Sequence, residues 1–156
     1  MIKRYGAIHP LPDAACQPER DREYRIIFSI TRPPGSGNEN SPGFLHVART
    51  VNALELGGVP PEHQHLVAIV HGKATPAVLS DPAYWRAFGR ANPDSDLIRE
   101  LAEHSVDICV CGQAFLNRGF RKHDLNQDVT LALSALTVLP TYQLKGYALM
   151  TYEEGA

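Results

Sequence analysis

The chain has 156 residues, 44% of them hydrophobic and 21% charged, which fits one domain with a core of its own and leaves little room for two. Fifteen basic against seventeen acidic residues leave a net charge of −2, so charge gives no reason to expect nucleic acid or an anionic membrane as partner. Three cysteines (Cys16, Cys109 and Cys111) do not make a disulfide framework, and no segment is apolar for long enough to span a bilayer.

Residues 1–23, with Pro10, Pro12 and Pro18 and no periodic pattern, read as an extended arm laid on the domain or on a neighbouring subunit. The basic start lacks the apolar stretch of a signal peptide. Free thiols then suggest a cytoplasmic setting, with a periplasmic protein that has lost its signal as the alternative. The rest, 24–156, reads as a single domain. YRIIFSI (24–30) is a short apolar, β-branched run and predicts a buried strand. A Gly/Pro loop follows over 31–43, in which Ser41 can cap a helix with Pro42 at its first position. Phe44, Val47, Ala48 and Val51 share one face of that helix, and Gly57-Gly58 ends it.

HLVAIVHG (65–72) predicts the second buried strand. A short helix around Ala77–Leu79 and an aromatic stretch at Tyr84, Trp85 and Phe88 come next. Asn92-Pro93 is the expected cap of a helix whose inner face is Leu97, Ile98, Leu101 and Ala102. VDICVC (106–111) is the third strand, followed by a helix from about Gln113 to Arg118. VTLALS (129–134), a helix over Leu136–Leu144 and YALMTY (147–152) complete the pattern. Pro140 predicts a kink in the last helix or a late start to it. Strands that are continuous apolar runs alternate with helices. This predicts an α/β three-layer sandwich with a parallel sheet of about five strands, covered on both faces.

Ligands of an open parallel sheet bind beyond the carboxyl ends of its strands. The residues expected there are Thr31 to Gly37, His71-Gly72, Cys111-Gly112-Gln113 and Ser134. Cys111 is the evident nucleophile among them. It stands where a strand turns into a helix, whose first amides and dipole favour a thiolate; as a buried, inert space-filler it would have no such role. Gly112 permits close approach of another backbone or a substrate. Cys109, mid-strand, reads as a small core residue, and Cys16 as incidental. His71, on the neighbouring strand, reads either as a proton partner for Cys111 or as a histidine bonded to a loop carbonyl. Gln113 and Asn52 are candidate lining residues. His63 and His65 precede their strand at the far end of the sheet and read as surface residues. There is no C-x-x-C, no P-loop and no G-x-S-x-G. A cysteine hydrolase would need an acid to orient His71, and none follows it.

Four segments in order, YRIIFSI, SPGFLHVARTVNALELGGVPPEHQHLVAIVHGKATPAVL, NPDSDLIRELAEHSVDICVCGQAFLNRG and VTLALSALTVLPTYQLKGYALM, span roughly residues 23–151. In their order and spacing the sequence resembles the DsrE/DsrF-like family, sulfur-relay proteins of the YchN-type fold. The resemblance implies a parallel α/β sandwich that assembles as trimers or hexamers. It implies a cysteine, here Cys111 of VCGQ, that carries sulfur as a persulfide between donor and acceptor proteins or small sulfane-sulfur compounds. His71 would assist proton movement, and Gly112, Gln113 and Asn52 would line the site. That chemistry calls for no metal or organic cofactor. A non-catalytic ligand-binding or assembly protein of the same fold is the alternative.

Overall fold

The computed structural model describes residues 1–152. The expected domain end at 156 therefore lies outside the described residues. Five strands form one sheet: β1 (Tyr24–Ile30), β2 (Gln64–Val70), β3 (Asp107–Cys111), β4 (Val129–Ala132) and β5 (Ala148–Thr151). All pairings are parallel and the order is β4-β3-β2-β1-β5. Among the described residues the helices are α1 (Pro42–Leu56), α2 (Asp81–Phe88), α3 (Ser95–Glu103), α4 (Gly112–Asn117) and α5 (Ala135–Leu144).

The order explains the layers. From β1 to β4 the sheet grows in one direction, and the connection to β5 then returns across the whole sheet. Right-handed crossovers put α1 and α3 on one face and α5 on the other. The first face is the main core. Ile26, Phe28, Ile30, Leu66, Ala68, Val70 and Val110 alternate onto it and meet Phe44, Val47 and Val51 of α1 and Leu97, Ile98 and Leu101 of α3. Each such large side chain stabilises the fold by roughly 1.5–3 kcal/mol through burial. The second face is thinner. Ile27, Val67, Ile69 and Cys111 lie against α5, with Cys109, Val138, Leu139 and Tyr142 only partly buried. Coverage of both faces is thus complete on one side and partial on the other, because a single helix serves five strands.

Several local expectations need correction. Ser41 stands at the N-cap of α1, but its hydroxyl donates to the buried Asp94 carboxylate and makes no cap bond. Asp94 also accepts from the Ser41 amide at 2.8 Å and precedes the first residue of α3. Asn92 sits two residues before this cap, where its Oδ1 accepts from the Asp94 amide and its Nδ2 donates to the Ala77 and Leu79 carbonyls. The short helix expected at Ala77–Leu79 is a longer 3-10 stretch over Gly72–Val78, and the aromatic segment after it is α2. α5 starts at Ala135, before Pro140, so there is no late start.

The arm lies on its own domain. Ile2 is buried, and Gly6 (φ +65°) crosses α1 so closely that a Cβ would come within 2.6 Å of the Ala48 and Arg49 backbone. Asn52 of α1 fastens this crossing. Its Oδ1 accepts from the Ile2 amide at 2.7 Å, and its Nδ2 donates to the carbonyls of Ile2, Tyr5 and Gly6. Further along, Arg4 pairs with Glu100 of α3.

Candidate active site

Cys111 is the last residue of β3, and α4 begins at the next position. Beside it β4 ends at Ala132, paired with Cys111 in register, and leads through Ser134 into α5. The chain leaves β3 and β4 into different helices, and the carboxyl ends of such strands are the usual ligand position in an open parallel sheet. Ser134 is the N-cap of α5, its Oγ accepting from the Leu136 amide at 3.2 Å. The neutral Cys111 thiol donates to the same oxygen, Sγ to Oγ 3.9 Å. Gly112 lets the strand ends close up: a Cβ there would lie 2.4 Å from the Ala132 carbonyl oxygen.

Two helix starts face the sulfur. Burial alone would push the Cys111 pKa up. It is outweighed by the amide of Ala114 in α4, the amide of Ala135 in α5, the Ser134 hydroxyl and the Gln113 amide, which together hold the thiol below its ordinary value. These donors stabilise the thiolate, the form that attacks sulfur. Cys109, two residues back on the same face, is driven the other way. Burial, with Asp107 nearby, pushes its thiol up to about 11, and its Sγ donates to the Ala68 carbonyl. Cys109 is only half buried. It lines a cleft of about 410 Å³ beside α5, with Asp107, Thr130, Val138 and Tyr142, and is not enclosed by two helix layers.

The other candidates divide. His71 continues the β2 ladder by one residue, its amide donating to the Ile30 carbonyl at 3.0 Å. Strand alternation puts it on the same sheet face as Cys111, yet its imidazole bonds Ser29 of β1, Oγ to Nε2 2.8 Å, and not the thiol. Burial lowers its pKa, favouring the neutral ring. Gln113 is exposed and donates to the Leu133 carbonyl at 3.3 Å, between the segments that follow β3 and β4. Asn52 is no neighbour of this site; it works on the opposite face, where four backbone bonds to the arm use up its amide. His63 and His65 pair with Glu23 at the amino end of the sheet. Among the described residues no cluster of His, Cys, Asp and Glu could hold a metal ion. Ser134 was expected at this rim but not as a partner of the thiol, and the Ala135 amide was not expected at all. The available signal was a capping residue type at the end of the adjacent strand.

Fold and site together define a class: a parallel α/β sandwich that presents one thiol of lowered pKa at the carboxyl edge of its sheet. The family model for the DsrE/DsrF-like family matches residues 25–152, and the chain belongs to that family. Two solved structures share the fold. The MTH1491 protein of Methanobacterium thermoautotrophicum, of unknown function, aligns with a TM-score of 0.64 at 18% identity, covering 83% of this chain and 99% of its own. The ychN protein of E. coli aligns with a TM-score of 0.59 at 15% identity over the same shares. No curated protein matches the chain. No helix among the described residues is long and apolar enough to cross a membrane.

Proposed function

We propose that this protein is a sulfur carrier that accepts and passes on sulfane sulfur as a persulfide on Cys111. The observation that carries the reading is the convergence of α4 and α5 amides on that one sulfur. The Cys111 thiolate attacks the outer sulfur of a donor persulfide. The S–S bond of the donor breaks and the donor leaves as a thiolate. The new Cys111–S–SH is held by the same amides, and an acceptor thiolate removes its outer sulfur by the same exchange. Donor and acceptor are other proteins or small sulfane-sulfur compounds. Exposure of a preformed polysulfide to the protein, followed by intact mass, tests this. Wild type gains mass in steps of one sulfur atom, and Cys111→Ser does not, because a hydroxyl without a dedicated base is too weak a nucleophile. Gain in Cys111→Ser with loss in Cys109→Ser would overturn the choice of residue.

The working form is a homo-oligomer, a trimer or hexamer, joined through α5. Leu136 and Leu144 on the outside of that helix are 86% and 89% exposed, an apolar row that water does not favour. A second reading, a non-catalytic ligand-binding protein, draws on the 410 Å³ cleft, whose lining contains Cys109 and not Cys111. In that case neither cysteine variant changes the mass after polysulfide.

A further inference from the structure

Ser29, His71 and Cys111 stand on three adjacent strands. Ser29 is in register with Ile69, two residues before His71, and Val70 is in register with Val110, one before Cys111. Alternation puts all three on the face covered by α5, at the carboxyl end of the sheet. The histidine is tied at 2.8 Å through Nε2 to the Ser29 hydroxyl, and that bond spans two strands. Both residues are half buried. The imidazole meets the Ser29 hydroxyl on β1, the register sets Cys111 of β3 beside His71 on the sheet, and the Arg118 guanidinium after α4 donates at 3.1 Å to the carbonyl of Gly72, the residue after His71. The cradle of Cys111 is complete without His71, so the histidine is free for a different proton.

We infer that Ser29 is a positioning residue that accepts the Nε2–H of His71 and leaves Nδ1 as the base for the acceptor thiol that unloads Cys111. This rests on the persulfide reading. The acceptor R–SH gives its proton to Nδ1, and R–S⁻ attacks the outer sulfur of Cys111–S–SH. The R–S–SH bond forms, the Cys111 S–S bond breaks, and its electron pair leaves on Cys111 as the thiolate that the amides stabilise. His71 then returns the proton to water. Neither oxidant nor reductant is consumed.

The test separates loading from unloading. Wild type, Ser29→Ala, Ser29→Thr and His71→Ala are each loaded to completion with polysulfide, and loss of sulfur to free cysteine is followed by intact mass. At pH 7, His71→Ala unloads about a hundredfold slower and Ser29→Ala about tenfold slower, the range for a lost or misplaced base, whereas Ser29→Thr stays near wild type. Near pH 10 the acceptor, with a pKa of about 8.5, is already ionised and the differences close. Imidazole ¹⁵N shifts report the Nε2–H tautomer in wild type and a mixture in Ser29→Ala. Wild-type unloading by Ser29→Ala, a deficit that persists at pH 10, or an Nδ1–H tautomer in wild type each overturns the assignment of Ser29 while leaving the persulfide intact. Failure of wild type to load at all overturns the persulfide reading, and the relay falls with it.

Discussion

Two thiols two residues apart on β3 are driven in opposite directions by their surroundings. Cys111 meets amides and a hydroxyl; Cys109 meets apolar walls and the Asp107 carboxylate. Their effects on stability therefore have opposite signs. The folded protein releases the Cys111 proton earlier than the unfolded chain does. Its contribution is present above the ordinary thiol pKa of about 8.5 and is lost as pH falls through the lower folded value. Cys109 contributes below the ordinary value and loses that contribution as pH rises towards about 11. Ser134 is the residue whose removal reads out the first effect. Ser134→Ala deletes the hydroxyl that helps hold the Cys111 thiol down and the cap of α5 together. The midpoint of Cys111 alkylation against pH moves up, and unfolding in urea shows a loss of about 1 kcal/mol, the usual cost of a lost N-cap. An unchanged alkylation midpoint would remove Ser134 from the cradle.

At the scale of elements, the cradle depends on how closely β4 approaches the start of α4. Gly112→Ala pushes a methyl group to 2.4 Å from the Ala132 carbonyl, which is backbone and cannot swing aside. The expected result is a loss of about 1–3 kcal/mol from overpacking. A slower Cys111 alkylation at neutral pH should accompany it, since Ala135 moves away with β4. Calorimetry and labelling kinetics measured on the same sample check both. Much of this architecture was legible in the sequence, because apolar runs such as YRIIFSI and HLVAIVHG announce buried strands by period and length alone. Cys111 was legible too, as a nucleophilic residue type at a strand end. The partners of His71 and Asn52 were not. Which neighbour a side chain reaches depends on strand order and on how the chain folds back, and the pattern of one segment encodes neither. Asn52 looked like a site residue because the arm that saturates it carries no periodic signal. Ser41 makes no cap bond for a related reason: its hydroxyl is drawn to the buried Asp94 carboxylate, which also accepts from the Ser41 amide and from Asn40.

For the whole molecule, the two faces of the sheet differ in kind. One is closed by α1, α3 and the arm; the other is closed by α5 alone, and beside it Leu133, Leu136 and Leu144 face outward. Light scattering at micromolar concentration should give a mass of three or six chains. Leu136→Asp with Leu144→Asp should shift it to the 17.2 kDa monomer without loss of helix by circular dichroism. A wild-type monomer at that concentration would contradict assembly through α5.

The cradle of Cys111 has one further consequence. Its donors come from stretches more than twenty residues apart, and they meet only while the four-residue edge strand β4 is docked. Short edge strands are among the first parts of a sheet to open. When β4 lifts, the sulfur loses the Ala135 and Ser134 donors at the same moment as it becomes more accessible. The opened state therefore offers a thiol that is easier to reach and slower to react.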